Sequence, residues 1–209
     1  MKRGVPILLC VALLCPSAGR AADGFRIYES TSASVNGEVL FLSDVAREAC
    51  FYRCGAFPGS PEEILSARET RDRLILDTLA LQEQRKLLLG TVDNAVWEGY
   101  AREADSRMAA CASSCRREIT REETREWVHR KLLIRDFFIR RVAVFVEVKD
   151  DDVQKELERR SAVPGNGAKP TEEQVRGEML ETRIGQEIRN WQNRAASKSR
   201  LILSPLEER

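Results

Sequence analysis

SASVNGEVLFLSD, residues 32–44, holds two short runs of alternating apolar and polar side chains hinged on Asn36-Gly37. Alternation with period two suits a strand that buries one face, and Asn-Gly accepts positive φ at both central turn positions, so the stretch predicts a β-hairpin. Ser43 then offers its hydroxyl as the N-cap of a helix over residues 44–54, which Gly55 can end in a left-handed conformation. The remainder reads mostly as helix. The expected fold class is mostly α, a single helical domain closed by a small β-sheet.

Working outward, Ser60-Pro61-Glu62-Glu63 has the form of a capping box with proline at the first helical position. It predicts the start of a long helix, apolar on most sides over residues 74–81 and stopped by Gly90. A third helix is expected from about Asp93 through Trp97, Tyr100 and Met108 to Cys115. Thr120-Arg121-Glu122-Glu123 opens a fourth, with Trp127, Ile134, Phe137 and Phe138 at helical spacing. Residues 142–148 are rich in valine and read as extended, and Asp150 caps a charged helix to about Arg160. SAVPGNGAKP, residues 161–170, is a linker. Thr171 to Gln174 caps a last helix through Trp191, and residues 200–203 read as a strand seeking a partner on the hairpin's free edges.

The N-terminus reads as an export signal over residues 1–22. Lys2 and Arg3 precede an apolar run at residues 5–14, too short to span a bilayer, and Ser17-Ala18-Gly19-Arg20-Ala21-Ala22 supplies small residues for cleavage. Cleavage would remove Cys10 and Cys15 with the leader and leave about 187 residues, enough for one domain with a real core. Losing Lys2, Arg3 and Arg20 turns the formal charge of +1 into −2. Such a near-neutral chain, without a basic face interleaved with aromatics, argues against nucleic acid.

CFYRC at residues 50–54 and CASSC at 111–115 hold the four remaining cysteines. On helices, each pair lies on one face, so two faces can be joined by two rungs. Antiparallel helices would pair Cys50 with Cys115 and Cys54 with Cys111; parallel helices would swap the partners. The antiparallel set is the expectation. Two other readings stay open: a four-cysteine zinc site, and a redox centre, which would need accessible thiols at a helix N-terminus.

Four stretches together resemble the SurA-type periplasmic chaperones. SVNGEVLFLSDV (34–45) and RDRLILDTLALQEQRKLLLG (71–90) are similar to the family's opening hairpin, short helix and buried long helix. TREWVHRKLLIRDFFIRRVAVFVEVKDDDVQKELE (124–158) resembles the last helix of its N-terminal module and the exit from it. RNWQNRAASKSRLILS (189–204) resembles the C-terminal helix and strand that fold back onto that module. The resemblance implies a chaperone module over residues 23–160, completed by residues 171–209. It also implies an ATP-independent holdase in the periplasm that binds extended, apolar or aromatic segments of unfolded exported proteins, such as outer-membrane β-barrel precursors.

The chain departs from the family in two respects. Parvulin-type prolyl isomerase domains occupy the position where this chain has only residues 161–170, and parvulin sites use paired histidines, whereas this chain has His129 alone, on a predicted helix. The cysteine pairs are likewise no part of the family pattern. No glycine-rich phosphate loop, Gly-x-Ser-x-Gly elbow or His-Glu-x-x-His motif occurs, so no enzyme activity, prolyl isomerisation included, is expected, and no cofactor or metal. The expected partners are unfolded or extended polypeptides, with no nucleic acid and no stable membrane insertion; the oligomeric state is open. Phe51, Tyr52 and Phe57 are candidate client contacts because a short helix and its following loop carry them, with core packing as the plainer reading. The alternatives are a dedicated assembly factor for a single partner and a thiol-redox or zinc-binding protein.

Overall fold

A computed structural model describes residues 29–89, 91–161 and 170–206. The expected export signal, Gly90 and nearly all of the expected linker lie outside the described residues. The chain is mostly helical, with one small antiparallel sheet built from two N-terminal strands and a C-terminal strand.

β1 (Thr31–Val35) and β2 (Glu38–Phe41) form the hairpin, with Val35 opposite Glu38 and with Asn36 and Gly37 at φ +54° and +92°. The register slips between Thr31 and Ala33, so Ser32 is the extra residue of a bulge. β3 (Leu201–Leu203) pairs antiparallel with β1, giving the order β2-β1-β3. Ala33, Val35 and Leu40 turn one face of the sheet toward Val45, Leu74, Ile75 and Leu79, where Trp191 and Leu201 pack against them.

α1 (Leu42–Arg53) follows β2 without a loop. Ser43 does not cap it. Asp44 does, reaching back so that its carboxylate accepts from the Phe41 N–H at 2.9 Å, while the Ser43 hydroxyl donates to Glu29. At the other end Gly55, at φ +52°, closes a Schellman turn: its N–H donates to the Tyr52 carbonyl and that of Ala56 to Phe51.

The Ser60 box does not open α2. Residues 60–66 have no regular secondary structure, and α2 (Ala67–Lys86) starts at Ser66, whose hydroxyl accepts from the Glu69 N–H while Glu69 accepts from the Ser66 N–H. Glu63 is engaged elsewhere. Its N–H donates to the Tyr52 carbonyl, and its carboxylate takes both terminal nitrogens of Arg73 at 2.8 and 2.7 Å. Two boxes six residues apart compete for one helix start, and the second leaves the first to fasten the loop to α1.

α3 (Asn94–Ala110) is capped by Asp93, and α5 (Arg121–Arg141) by the Thr120/Glu123 box. Between them the chain leaves helical geometry: Cys111 is extended, and Cys115 opens a separate short helix, α4 (Cys115–Glu118). The second cysteine pair is therefore not on one helix face.

Residues 142–148 are not extended as a whole. The chain after α5 tightens into a 3-10 turn (Ala143–Phe145), and among the described residues these valines pair with no strand, so their β-propensity finds no partner. The carbonyls of Glu147 and Val148 accept instead from Arg183 and Arg176. α6 (Asp150–Ser161) and α7 (Glu172–Lys198) pack on each other, burying Val153 and Val175. α7 runs seven residues past Trp191, about 40 Å in all at 1.5 Å per residue. Its far end carries Trp191 onto Phe137 and Phe138, with ring centroids 5.0 and 5.2 Å apart.

Candidate functional site

The four cysteines are bonded to one another. Cys50 joins Cys115 and Cys54 joins Cys111, with Cα–Cα distances of 5.4 and 5.3 Å. Cys50, Cys54 and Cys115 are buried and Cys111 is half-buried beside them, so none of these four, Cys115 at the start of α4 included, presents a free thiol. Bridges of this kind form and persist in oxidising compartments. They tie α1 to the α3–α4 segment around a core in which Phe51 stacks on Trp127 at 4.5 Å.

That stacking settles one candidate client contact. Phe51 is fully buried, so it is core. Tyr52 and Phe57 are half-buried against the edge of the same Trp127 ring. The Tyr52 hydroxyl also takes a hydrogen bond from Lys131 at 3.0 Å, and the Arg73 guanidinium covers its ring. Both aromatics are committed to packing within the module. His129 meets the Trp97 ring edge-on at 5.7 Å.

Beneath Tyr52 lies an ionic centre. Lys131 Nζ pairs with Glu48 at 2.7 Å and with Asp77, and the Trp127 indole donates to the other Glu48 oxygen at 2.8 Å. Burial alone would lower the lysine's pKa, but the two carboxylates and then the tyrosine outweigh it and push it up. Burial likewise pushes the Asp77 carboxyl up, against the opposing pull of Lys131. A cavity of about 180 Å³ between β2, α1, α2 and α5 reaches these groups.

A larger cleft, about 720 Å³, opens between the C-terminal parts of α2 and α7 beside the hairpin turn. Leu79, Trp191 and Ala195 give it apolar lining, and Asn36 and Gln82 fix one wall. The Asn36 amide donates to Gln82 at 2.8 Å, Gln82 donates to the Val35 carbonyl, and the Arg200 N–H donates back to Asn36. Five cations and two carboxylates line it, a net formal charge of +3. Arg85 pairs with Glu38 at 2.9 Å and Lys86 with Glu83 at 3.6 Å. Arg141, Arg194 and Lys198 have no ion-pair partner among the described residues.

Exposed apolar side chains stand at the ends of two helices that reach the cleft. Leu87 and Leu88 follow the end of α2, with Leu88 89% exposed. Ile139, Val144 and the 73%-exposed Phe145 flank the end of α5. Lys86 and Arg141 line the same cleft, so these two chain ends are neighbours in space. Sequence reading does not find this surface, because it is assembled from three helix ends far apart in the chain. The one legible signal is the run Trp191, Ala195, Ala196, an apolar stripe on an otherwise charged helix.

Among the described residues no helix is long and apolar enough to cross a membrane, and no group of acids, histidines and cysteines is placed to hold a metal. No family model matches the chain, and no curated protein matches it.

Proposed function

We propose that this chain is an ATP-independent chaperone of the SurA type, without prolyl isomerase domains, that holds unfolded exported proteins in the periplasm. The observation that carries this reading is the exposure of Leu87, Leu88, Ile139, Val144 and Phe145 at the ends of α2 and α5, whose Lys86 and Arg141 line an open cleft. Exposed apolar side chains on helix ends that reach a concave surface fit transient capture of an extended apolar segment. The sheet closed by β3 and the fold-back of α7 agree with the architecture that the sequence resemblance implies. Release without nucleotide requires weak binding, and micromolar affinity, about −8 kcal/mol, suits it.

The test is dilution of a urea-unfolded outer-membrane β-barrel into the oxidised protein, with a folded soluble protein as binding control. Suppressed aggregation at near-stoichiometric ratios, weakened by Leu88→Ser with Phe145→Ser, is the expected result. Absence of suppression rejects the general holdase and leaves a factor dedicated to one partner.

A further inference from the structure

We infer that the α2–α7 cleft selects acidic segments, binding extended polypeptide that presents Asp or Glu carboxylates next to an apolar residue. The inference rests on the holdase reading and adds the chemistry of the segment held. The C-terminal turns of three helices converge here: Arg85 and Lys86 end α2, Arg141 ends α5, and Lys198 ends α7, with Arg194 one turn before it.

Cations in a last helical turn have an ordinary explanation, since they offset the negative end of the helix dipole. The magnitudes limit it. Each helix C-terminus is equivalent to about −0.5 charge, so three of them neutralise about half of the net +3 that lines the cleft. Arg85 and Lys86 already have carboxylates, which leaves Arg141, Arg194 and Lys198 to be met from outside.

The cleft's shape favours a peptide over a membrane. Its apolar lining, Trp191 and Leu79, lies between two helix walls, where a flat lipid surface does not follow but a single extended chain does. The wall at the hairpin turn is fixed by the Asn36–Gln82 hydrogen bond and by the Asn36–Arg200 backbone contacts, so little ordering is needed on binding. An aliphatic or aromatic side chain set on Trp191 brings neighbouring carboxylates to the cationic rim.

Calorimetric titration with two unlabelled peptides tests this, the two being identical except that one carries Glu where the other carries Gln. The acidic peptide is expected to bind about tenfold tighter at about 0.05 M salt and to lose most of that advantage at about 0.5 M. In the variant Arg141→Gln/Arg194→Gln/Lys198→Gln the two peptides should bind alike, with the melting temperature kept. Arg194→Gln alone, exposed and unpaired, serves if the triple variant fails to fold, and should narrow the gap. Equal binding of both peptides by the parent, with client aggregation still suppressed, overturns charge selection and leaves the holdase reading standing. Failure to bind either peptide overturns the inference alone where aggregation is still suppressed, and overturns both readings where it is not. Retention on anionic lipid vesicles without acidic-peptide binding overturns the inference in favour of a membrane.

Discussion

Lys131 and Glu48, 83 positions apart in the chain, meet at 2.7 Å in the interior where α1 and α5 face each other. The lysine is also held by Asp77 and covers the Trp127 ring at 5.3 Å. Charges buried this deeply do not make the fold more stable than an apolar core would, but removing one partner alone is costly. Lys131→Met leaves Glu48 and Asp77 without their cation and should cost about 3–5 kcal/mol. Glu48→Gln keeps an acceptor for Trp127 and should cost about 1–3 kcal/mol. Urea unfolding followed by circular dichroism separates them; a loss below about 1 kcal/mol for Lys131→Met would mean that water reaches the pair.

The same centre makes stability depend on pH in an unusual direction. Asp77 is raised by its burial, so the folded chain holds that proton more tightly than the unfolded chain does. Between the ordinary value of 3.8 and the raised one, the folded state therefore binds more protons, and stability falls as pH rises. This contribution is complete below the ordinary value and is lost as pH passes through the folded one. The melting temperature of the parent minus that of Asp77→Asn should accordingly be larger in acid than at neutral pH. A difference that is flat, or that grows with pH, contradicts the assignment.

The hairpin, the C-terminal strand and most of the helices were legible because their signals are local: Asn36-Gly37, the Thr120 and Thr171 caps, and helical spacing of apolar residues. The start of α2 is not legible because Ser60 and Ser66 carry the same local signal, and only the ties from Glu63 to Tyr52 and Arg73 decide between them. The valines of residues 142–148 mislead because β-propensity acts only where a neighbouring strand exists. The ionic centre left a faint trace. Lys131 stands one turn after Trp127 and Val128 on a buried face, and Glu48 lies between buried Val45 and Phe51. The cleft left almost none, since its cations read as ordinary charges on three separate helices.

The two bridges are nested, with Cys54–Cys111 inside Cys50–Cys115, at separations of 57 and 65 residues. Whichever remains alone still closes a long loop, so the first bridge removed should cost less than the second. In the chain-entropy model the first loss is about 2–3 kcal/mol and the second about 4 kcal/mol, with native strain and denatured-state structure reducing both. Urea midpoints of Cys54→Ala/Cys111→Ala, of Cys50→Ala/Cys115→Ala and of the variant lacking all four cysteines test the order. Additive losses would show that the bridges do not share one loop.

β3 is short, yet it holds contacts that nothing else in the described chain replaces. Leu201 packs into the sheet's core, the Ser204 N–H donates to the Ser32 carbonyl at 3.1 Å, and Arg71 donates to the Ser204 carbonyl at 2.9 Å. Deleting residues 200–209 bares the edge of β1 and strands the nearly buried Arg71 guanidinium, so the unfolding free energy should drop by about 3 kcal/mol or more. Ile202→Thr is the contrasting change. Its side chain is 53% exposed and its strand pairing is kept, so the loss should stay within about 0.5 kcal/mol. A truncated chain that melts with the parent would mean that the strand is a tail lying on the sheet, and that the hairpin and α2 complete the core without it.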